Sequence, residues 1–187
     1  MPDTLEIVPY DPTWPDQFEA ERRRLAATLG PLASRIDHHG STSVPGLAAK
    51  PVIDIQVSVS PLHPLEPYLD PLRLLGYIHM PHADDAFAPF LHRPASWPHT
   101  HHVHLVEAGG EEERKTLAFR DYLRDHPEAM REYESLKRAL APNYSSRSDA
   151  TRQAYADAKT EFITTITQKA FASGYPATKS LTSPPAR

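Results

Sequence analysis

Residues His38–Val59 read HHGSTSVPGLAAKPVIDIQVSV, and their two halves decide the fold. Pro51–Val59 (PVIDIQVSV) is rich in β-branched residues and predicts the strongest strand of the chain. Ser34–His39 predicts a second strand that ends at Gly40. Between them, Ser41–Ala49 carries Pro45-Gly46 at its middle and predicts a loop or a single helical turn. Strand, glycine turn and strand make up one unit.

Three features of this unit and its surroundings carry chemistry. Asp54 sits in the middle of an apolar strand, where a carboxylate is costly unless it is paired or binds a metal. Alternation puts Asp54 and Gln56 on one face and Ile53, Ile55 and Val57 on the other. A structural aspartate, with Lys50 as candidate partner, satisfies the same pattern. Gly40 permits close backbone approach. With Ser41, Thr42 and Ser43 it offers N–H and hydroxyl groups suited to phosphate, although ordinary turn capping uses the same residues. The third feature is His99-Thr100-His101-His102-Val103-His104. Parity puts His102 and His104 on one strand face, where paired imidazoles can bind a divalent metal or hold a phosphate. Solvated histidines are the alternative.

Outward from this unit, Leu5–Val8 predicts an edge strand or extended arm. From Trp14 a helix runs to Gly30-Pro31, with Phe18, Leu25 and Leu29 apolar and Glu19, Glu21 and Arg22–Arg24 on the remaining surface. Pro64–Leu75 predicts a helix closed by Gly76. Tyr77–Met80, Phe87–His92 and His101–Val106 predict further strands. Glu111–Arg124, Pro127–Leu140 and Ser148–Ser173 predict three helices, the last capped by Ser148 and packed through Tyr155, Phe162, Ile163, Ile166 and Phe171. Arg120 and Asp121, being adjacent, are expected on different sides of their helix, and Tyr155 and Lys159 on one side. The order predicts an α/β (α+β) fold, a mixed β-sheet flanked by helices with a C-terminal helical layer. Residues 1–174 form the domain. Residues 175–187, rich in Pro, Ser and Thr, are expected to be a disordered tail.

Composition narrows the function classes. The 187 residues carry a formal net charge of −4 and 24% charged residues. No global basic field draws nucleic acid, and the only basic run, Arg22–Arg24, has acidic neighbours. With no cysteine, thiolate metal sites, disulfides and cysteine nucleophiles are excluded. No run approaches the ~20 apolar residues of a membrane span. No signal peptide is visible at the start, which agrees with a cytoplasmic setting.

A strand ending in Gly-Ser, a short loop and a strand with a central aspartate follow the plan of the nucleotidyltransferase core. There the turn holds a triphosphate, and strand carboxylates hold the Mg²⁺ that orients the attack. The run His39–Ile55 (HGSTSVPGLAAKPVIDI) closely resembles the signature of the GrpB family. Val8–Trp14, His102–Val106, Phe119–Arg124, Tyr155–Lys159 and Phe162-Ile163 resemble other segments of that family, so the likeness covers roughly Leu5 to Ala172. The resemblance implies a nucleotidyltransferase-like fold. It also implies a functional link to dephospho-CoA kinase, to which relatives are fused.

Gln56 departs from the Asp-x-Asp or Asp-x-Glu pair of active nucleotidyltransferases, and His102 and His104 stand where a third carboxylate is expected. The expected site therefore has Asp54, His102 and His104 as catalytic and metal-binding residues. A nucleotide or other phosphorylated ligand meets Gly40, Ser41, Thr42, Ser43, Lys50, Gln56, Arg120 and Lys159. The cation is Mg²⁺, or Mn²⁺ or Zn²⁺ where histidines take part. Nucleotidyl transfer to a small acceptor is one reading. A non-catalytic module regulating coenzyme A or nucleotide metabolism, and a small metal-dependent enzyme built on Asp54 and the histidine strand, are the others.

Overall fold

The stretches flanking Gly40 pair with each other. Strands β1 (Arg35–His39) and β2 (Ile53–Val59) run antiparallel, with His39 opposite Asp54 and Asp37 opposite Gln56. The connection between them contains one 3-10 turn, Ser41–Ser43, the single helical turn expected there. This computed structural model describes residues 5–144 and 149–176. The expected cap at Ser148 and residues 177–187 of the expected tail lie outside the described residues.

Helix α1 (Trp14–Leu29) precedes β1, and α2 (Glu66–Leu74) follows β2. Strands β3 (Ile78–His79), β4 (Phe90–Arg93) and β5 (His101–Glu107) come next. The sheet has five strands in the order β1-β2-β5-β4-β3. It is mixed: β5 lies parallel to β2, and the other pairs are antiparallel. The parallel pair needs a crossover, which α2, β3 and β4 supply. Helices α3 (Glu111–Asp125), α4 (Pro127–Leu140), α5 (Asp149–Asp157) and α6 (Thr160–Ala172) form the C-terminal layer.

Alternation gives the sheet two unlike faces. Ile36, Ile55, Val57, Leu91, Val103 and Leu105 point one way and pack with Leu25, Leu29, Leu69 and Leu72 of α1 and α2 in the main core. The opposite face is polar. One row across it runs His39, Asp54, His102, His92, and the next runs Asp37, Gln56, His104, Phe90. A second apolar cluster joins Val44 and Leu47 of the β1–β2 connection to Leu123, Tyr133 and Ile166. A third joins Leu5, Ala141 and Tyr155.

Several expectations are corrected. The helix expected over 148–173 is two helices broken at Ala158-Lys159, because its halves serve different clusters: Tyr155 packs with Leu5 and Ala141, and Ile166 with Leu123 and Tyr133. Phe171, expected to pack, is exposed. Glu21, read as part of the charged surface of α1, is 3% exposed. It accepts from Arg93 at 2.6 Å and from the Tyr77 hydroxyl at 2.9 Å, so long-range partners offset its burial. Arg120 and Asp121 do not part: both are buried, and Arg120 Nε donates to Asp121 Oδ1 at 2.7 Å. The length of the arginine lets it fold back along its own helix. Leu5–Val8 forms an arm whose Val8 makes an isolated antiparallel bridge to Ala49.

Candidate functional site

The register of three strands brings Asp54 between His39 and His102. His102 Nδ1 lies 3.0 Å from Asp54 Oδ1, and its other nitrogen, Nε2, lies 3.3 Å from His99 Nδ1. Both ring nitrogens of His102 are thus engaged within the protein. His99 is held in turn between the parallel rings of His92 at 3.7 Å and Trp97 at 4.0 Å. His104 meets His39 edge to face at 5.2 Å. The Asp54 side chain keeps 28% of its exposure. Burial alone would raise its carboxyl, but the His102 hydrogen bond and the charges of His102, His39 and His104 hold it well below the usual range. Burial pushes His104 down to about 4 and His39 down to about 3, and Asp54 opposes both shifts.

Gly40 closes this arrangement. Its φ of +67° and ψ of −174° belong to a region only glycine occupies readily. A Cβ there would fall 2.8 Å from Asp54 Cβ and 2.9 Å from its Cγ. The turn backbone therefore lies directly on the aspartate. The hydroxyls that follow divide in their roles. Thr42 is buried, bonded to His38 Nε2 at 3.0 Å and to the Val52 carbonyl at 3.2 Å. Ser43 donates to the Gly40 carbonyl at 2.6 Å. Ser41 is half-buried at the start of the 3-10 turn.

Gln56 is fully buried, and neither its amide nitrogen nor its amide oxygen has a hydrogen-bond partner among the described residues. The Arg120 guanidinium also donates to the His38 carbonyl at 3.0 Å and lies 3.7 Å from Asp37, which Arg35 grips through two 2.8 Å bonds. Arg120 thus ties α3 to the strand that delivers the glycine turn. Arg124 reinforces it by donating to the Ser43 carbonyl at 2.7 Å.

Lys50 and Lys159 meet at Tyr155, their ammonium groups 5.4 Å and 4.2 Å from the ring centre. A third lysine escaped the sequence reading. Lys137 is 2% exposed, donates to the Ala48 carbonyl, and lies 4.8 Å from the ring centre of Tyr133. Partial burial and neighbouring Lys50 pull Lys159 down to about 7, against Asp54. Burial and neighbouring Lys159 pull Lys137 down to about 7, against Glu134 and Asp54. The sequence held a signal for Lys137: Tyr133–Lys137 and Tyr155–Lys159 share one Tyr-x-x-x-Lys spacing, which stacks the two side chains on one helix face.

A family model described as GrpB protein matches residues 4–169. The chain belongs to the GrpB family. Among its relatives, UPF0157 protein PA4798 of Pseudomonas aeruginosa is 37% identical over 91% of this chain and 69% of its own length. The crystal structure of the conserved protein GrpB from Enterococcus faecalis is 32% identical. It matches with a TM-score of 0.75 over 90% of this chain and 98% of its own. A protein named dephospho-CoA kinase from Mycolicibacterium paratuberculosis is 32% identical over 83% of this chain, which spans only 43% of that longer protein. No helix among the described residues is long and apolar enough to cross a membrane.

Whether the expected metal set fits can be read from its donors. His102 spends both nitrogens on Asp54 and His99, so in this arrangement it positions Asp54 and presents no lone pair to a cation. Among the described residues, no group of three or more His, Asp or Glu side chains is arranged to hold a metal ion. The donors left are the Asp54 carboxylate, with one oxygen outside the His102 bond, and the His104 and His39 rings that meet edge to face beside it. One protein carboxylate fits a hard cation that arrives with phosphate oxygens.

Proposed function

We propose that this GrpB-family protein binds a phosphorylated nucleotide on the polar sheet face, and that Asp54 with a divalent cation supports nucleotidyl transfer to a small acceptor. The observation that carries this reading is the contact of Gly40 with Asp54, which joins a turn suited to phosphate to a carboxylate held ionised. His102 keeps the carboxylate oriented. In the transfer, an acceptor hydroxyl oxygen bonds to the α-phosphorus and gives its proton to water, the bond to the β-phosphate breaks, and pyrophosphate leaves. The cation, when bound, neutralises phosphate charge. The protein supplies position, through the Gly40–Ser41 backbone and Asp54, and positive charge, through its lysines.

A thermal-shift screen of nucleoside triphosphates with Mg²⁺, Mn²⁺ or Zn²⁺, on wild type and Asp54→Asn, tests the binding. Pyrophosphate release tests the transfer. A stabilisation that needs both cation and Asp54 is expected. Equal stabilisation of both proteins without cation would overturn the assignment of Asp54.

One observation favours a second reading, a ligand-binding module without transfer. Gln56, buried and neutral, occupies the position where a second carboxylate would complete a two-cation site. Relatives named dephospho-CoA kinase make coenzyme A precursors the ligands to screen for that module. Saturable binding with no pyrophosphate release from any nucleotide would select it.

A further inference from the structure

We infer that Lys137, Lys159 and Lys50, walled by Tyr133 and Tyr155, form a subsite for a multiply charged phosphate group, a diphosphate or longer. This deepens the proposed function, because it names the part of the ligand that the lysines hold. Three observations carry it.

First, the charges are unbalanced. Among the described residues, no carboxylate makes an ion pair with Lys137 or Lys159. Lys137 donates one hydrogen bond, to the Ala48 carbonyl, and its ammonium has three donors. Glu134, its nearest acidic neighbour on α4, is already bonded to Arg138 at 2.9 Å and to the Ala48 N–H at 3.2 Å. Cations withdrawn from water without counter-ions are costly, and an incoming anion removes that cost. Two such ammonium groups call for a dianion at least. A monocarboxylate would leave one uncompensated.

Second, the wall is unsatisfied. Tyr155 is 1% exposed, and its hydroxyl has no hydrogen-bond partner among the described residues. A phosphate oxygen accepts from such a donor. Third, the lysines adjoin the β1–β2 connection. Lys137 donates to the Ala48 carbonyl of the β1–β2 connection, Tyr133 packs with Val44 and Leu47 of that connection, and Lys50 reaches the Tyr155 ring from its end. Two Tyr-x-x-x-Lys pairs, one from α4 and one from the α5–α6 junction, thus converge beside it. Lysine binds phosphate as a point charge and tolerates varied oxygen geometry, which suits a flexible diphosphate.

Isothermal titration with pyrophosphate, inorganic phosphate and malonate in EDTA, on the full chain, tests the subsite apart from the cation chemistry. Pyrophosphate is expected to bind wild type most tightly. Lys137→Met and Lys159→Met should each weaken it by about tenfold or more, and Tyr155→Phe by a smaller factor. Asp54→Asn should bind at least as well as wild type, since it removes a negative charge from the neighbourhood. Circular dichroism checks folding, and if Lys137→Met does not fold, Lys159→Met and Tyr155→Phe decide. Unchanged binding by the folded lysine variants, no pyrophosphate binding by wild type, or malonate binding as tightly as pyrophosphate would each overturn the subsite. Metal-free pyrophosphate binding that needs the lysines, combined with no Asp54-dependent nucleotide effect, would retain the subsite and reject nucleotidyl transfer.

Discussion

Gly40 lies so close to Asp54 that a Cβ on the glycine would sit 2.8 Å from the Cβ of the aspartate. The contact is backbone against side chain, across the hairpin pair in which His39 opposes Asp54. It fixes the distance between the turn and the carboxylate.

Replacing Gly40 with alanine is therefore expected to destabilise the fold by about 2 kcal/mol or more, from the forbidden backbone region and the clash together. Asp54→Ala in that background should recover only part of the loss, because the Cβ–Cβ contact persists. Asp54→Gly should recover more. Urea denaturation of these variants and of Asp54→Ala and Asp54→Gly alone measures this, and full additivity of Gly40→Ala with Asp54→Gly would mean the residues do not touch.

Acid should weaken the protein well before its carboxylates titrate. Burial pushes His38 down to about 4 and His39 down to about 3, whereas an unfolded histidine titrates near 6.5. Below that value the unfolded chain takes up protons that the folded chain refuses, so the histidine contribution to stability falls with falling pH and levels off above about 6.5. Each histidine contributes a slope approaching ~1.4 kcal/mol per pH unit between about pH 6.5 and 4.5. Urea midpoints over that range should show the slope, and His39→Gln should reduce it.

Lys159→Met should stabilise the ligand-free protein. With its ammonium drawn down to about 7 by partial burial and by Lys50, the folded chain releases a proton that the unfolded chain keeps up to the ordinary lysine range. The cost of the charge is thus fully present below about pH 7 and fades as the pH rises beyond it. The gain on substitution should be on the order of 1 kcal/mol at pH 6, after the screening that partial exposure allows, and should shrink by pH 9. Thermal melts at the two pH values check it. A loss of stability at pH 6 would show that the lysine is a structural asset.

Arg120→Met should cost about 3 kcal/mol, the usual consequence of leaving buried carboxylates short of a partner. Asp37 and Asp121 both lie within 3.7 Å of this guanidinium. Asp121→Asn in the same background should return part of the loss. A cost below ~1 kcal/mol in urea denaturation would place the charge in water and make Arg120 available to a ligand.

The strands, the glycine turn and the central aspartate were legible because each depends on local rules. Period-2 alternation separated Asp54 and Gln56 from Ile53 and Ile55, and the register kept that separation. Glu21 and the break at Ala158-Lys159 were not legible. Helix periodicity cannot show that Arg93 and Tyr77 reach across to a charged position, or that two halves of one helical stretch serve separate clusters. The lysines stand between these cases. Tyr-x-x-x-Lys is visible twice along the chain, yet only packing of α4 and the α5–α6 junction against the β1–β2 connection brings both pairs beside Ala48 and Lys50.

By itself, then, the sequence determined the family and the elements up to the last helix, because hydrophobic period, turn chemistry and a long signature are properties of neighbouring residues. The tertiary structure decided which charges are buried and what they meet. His102 faces Asp54 and His99, and Lys137 lies withdrawn from water against the Ala48 carbonyl. Those outcomes depend on desolvation and on contacts between residues as many as 89 positions apart, and no local pattern encodes them.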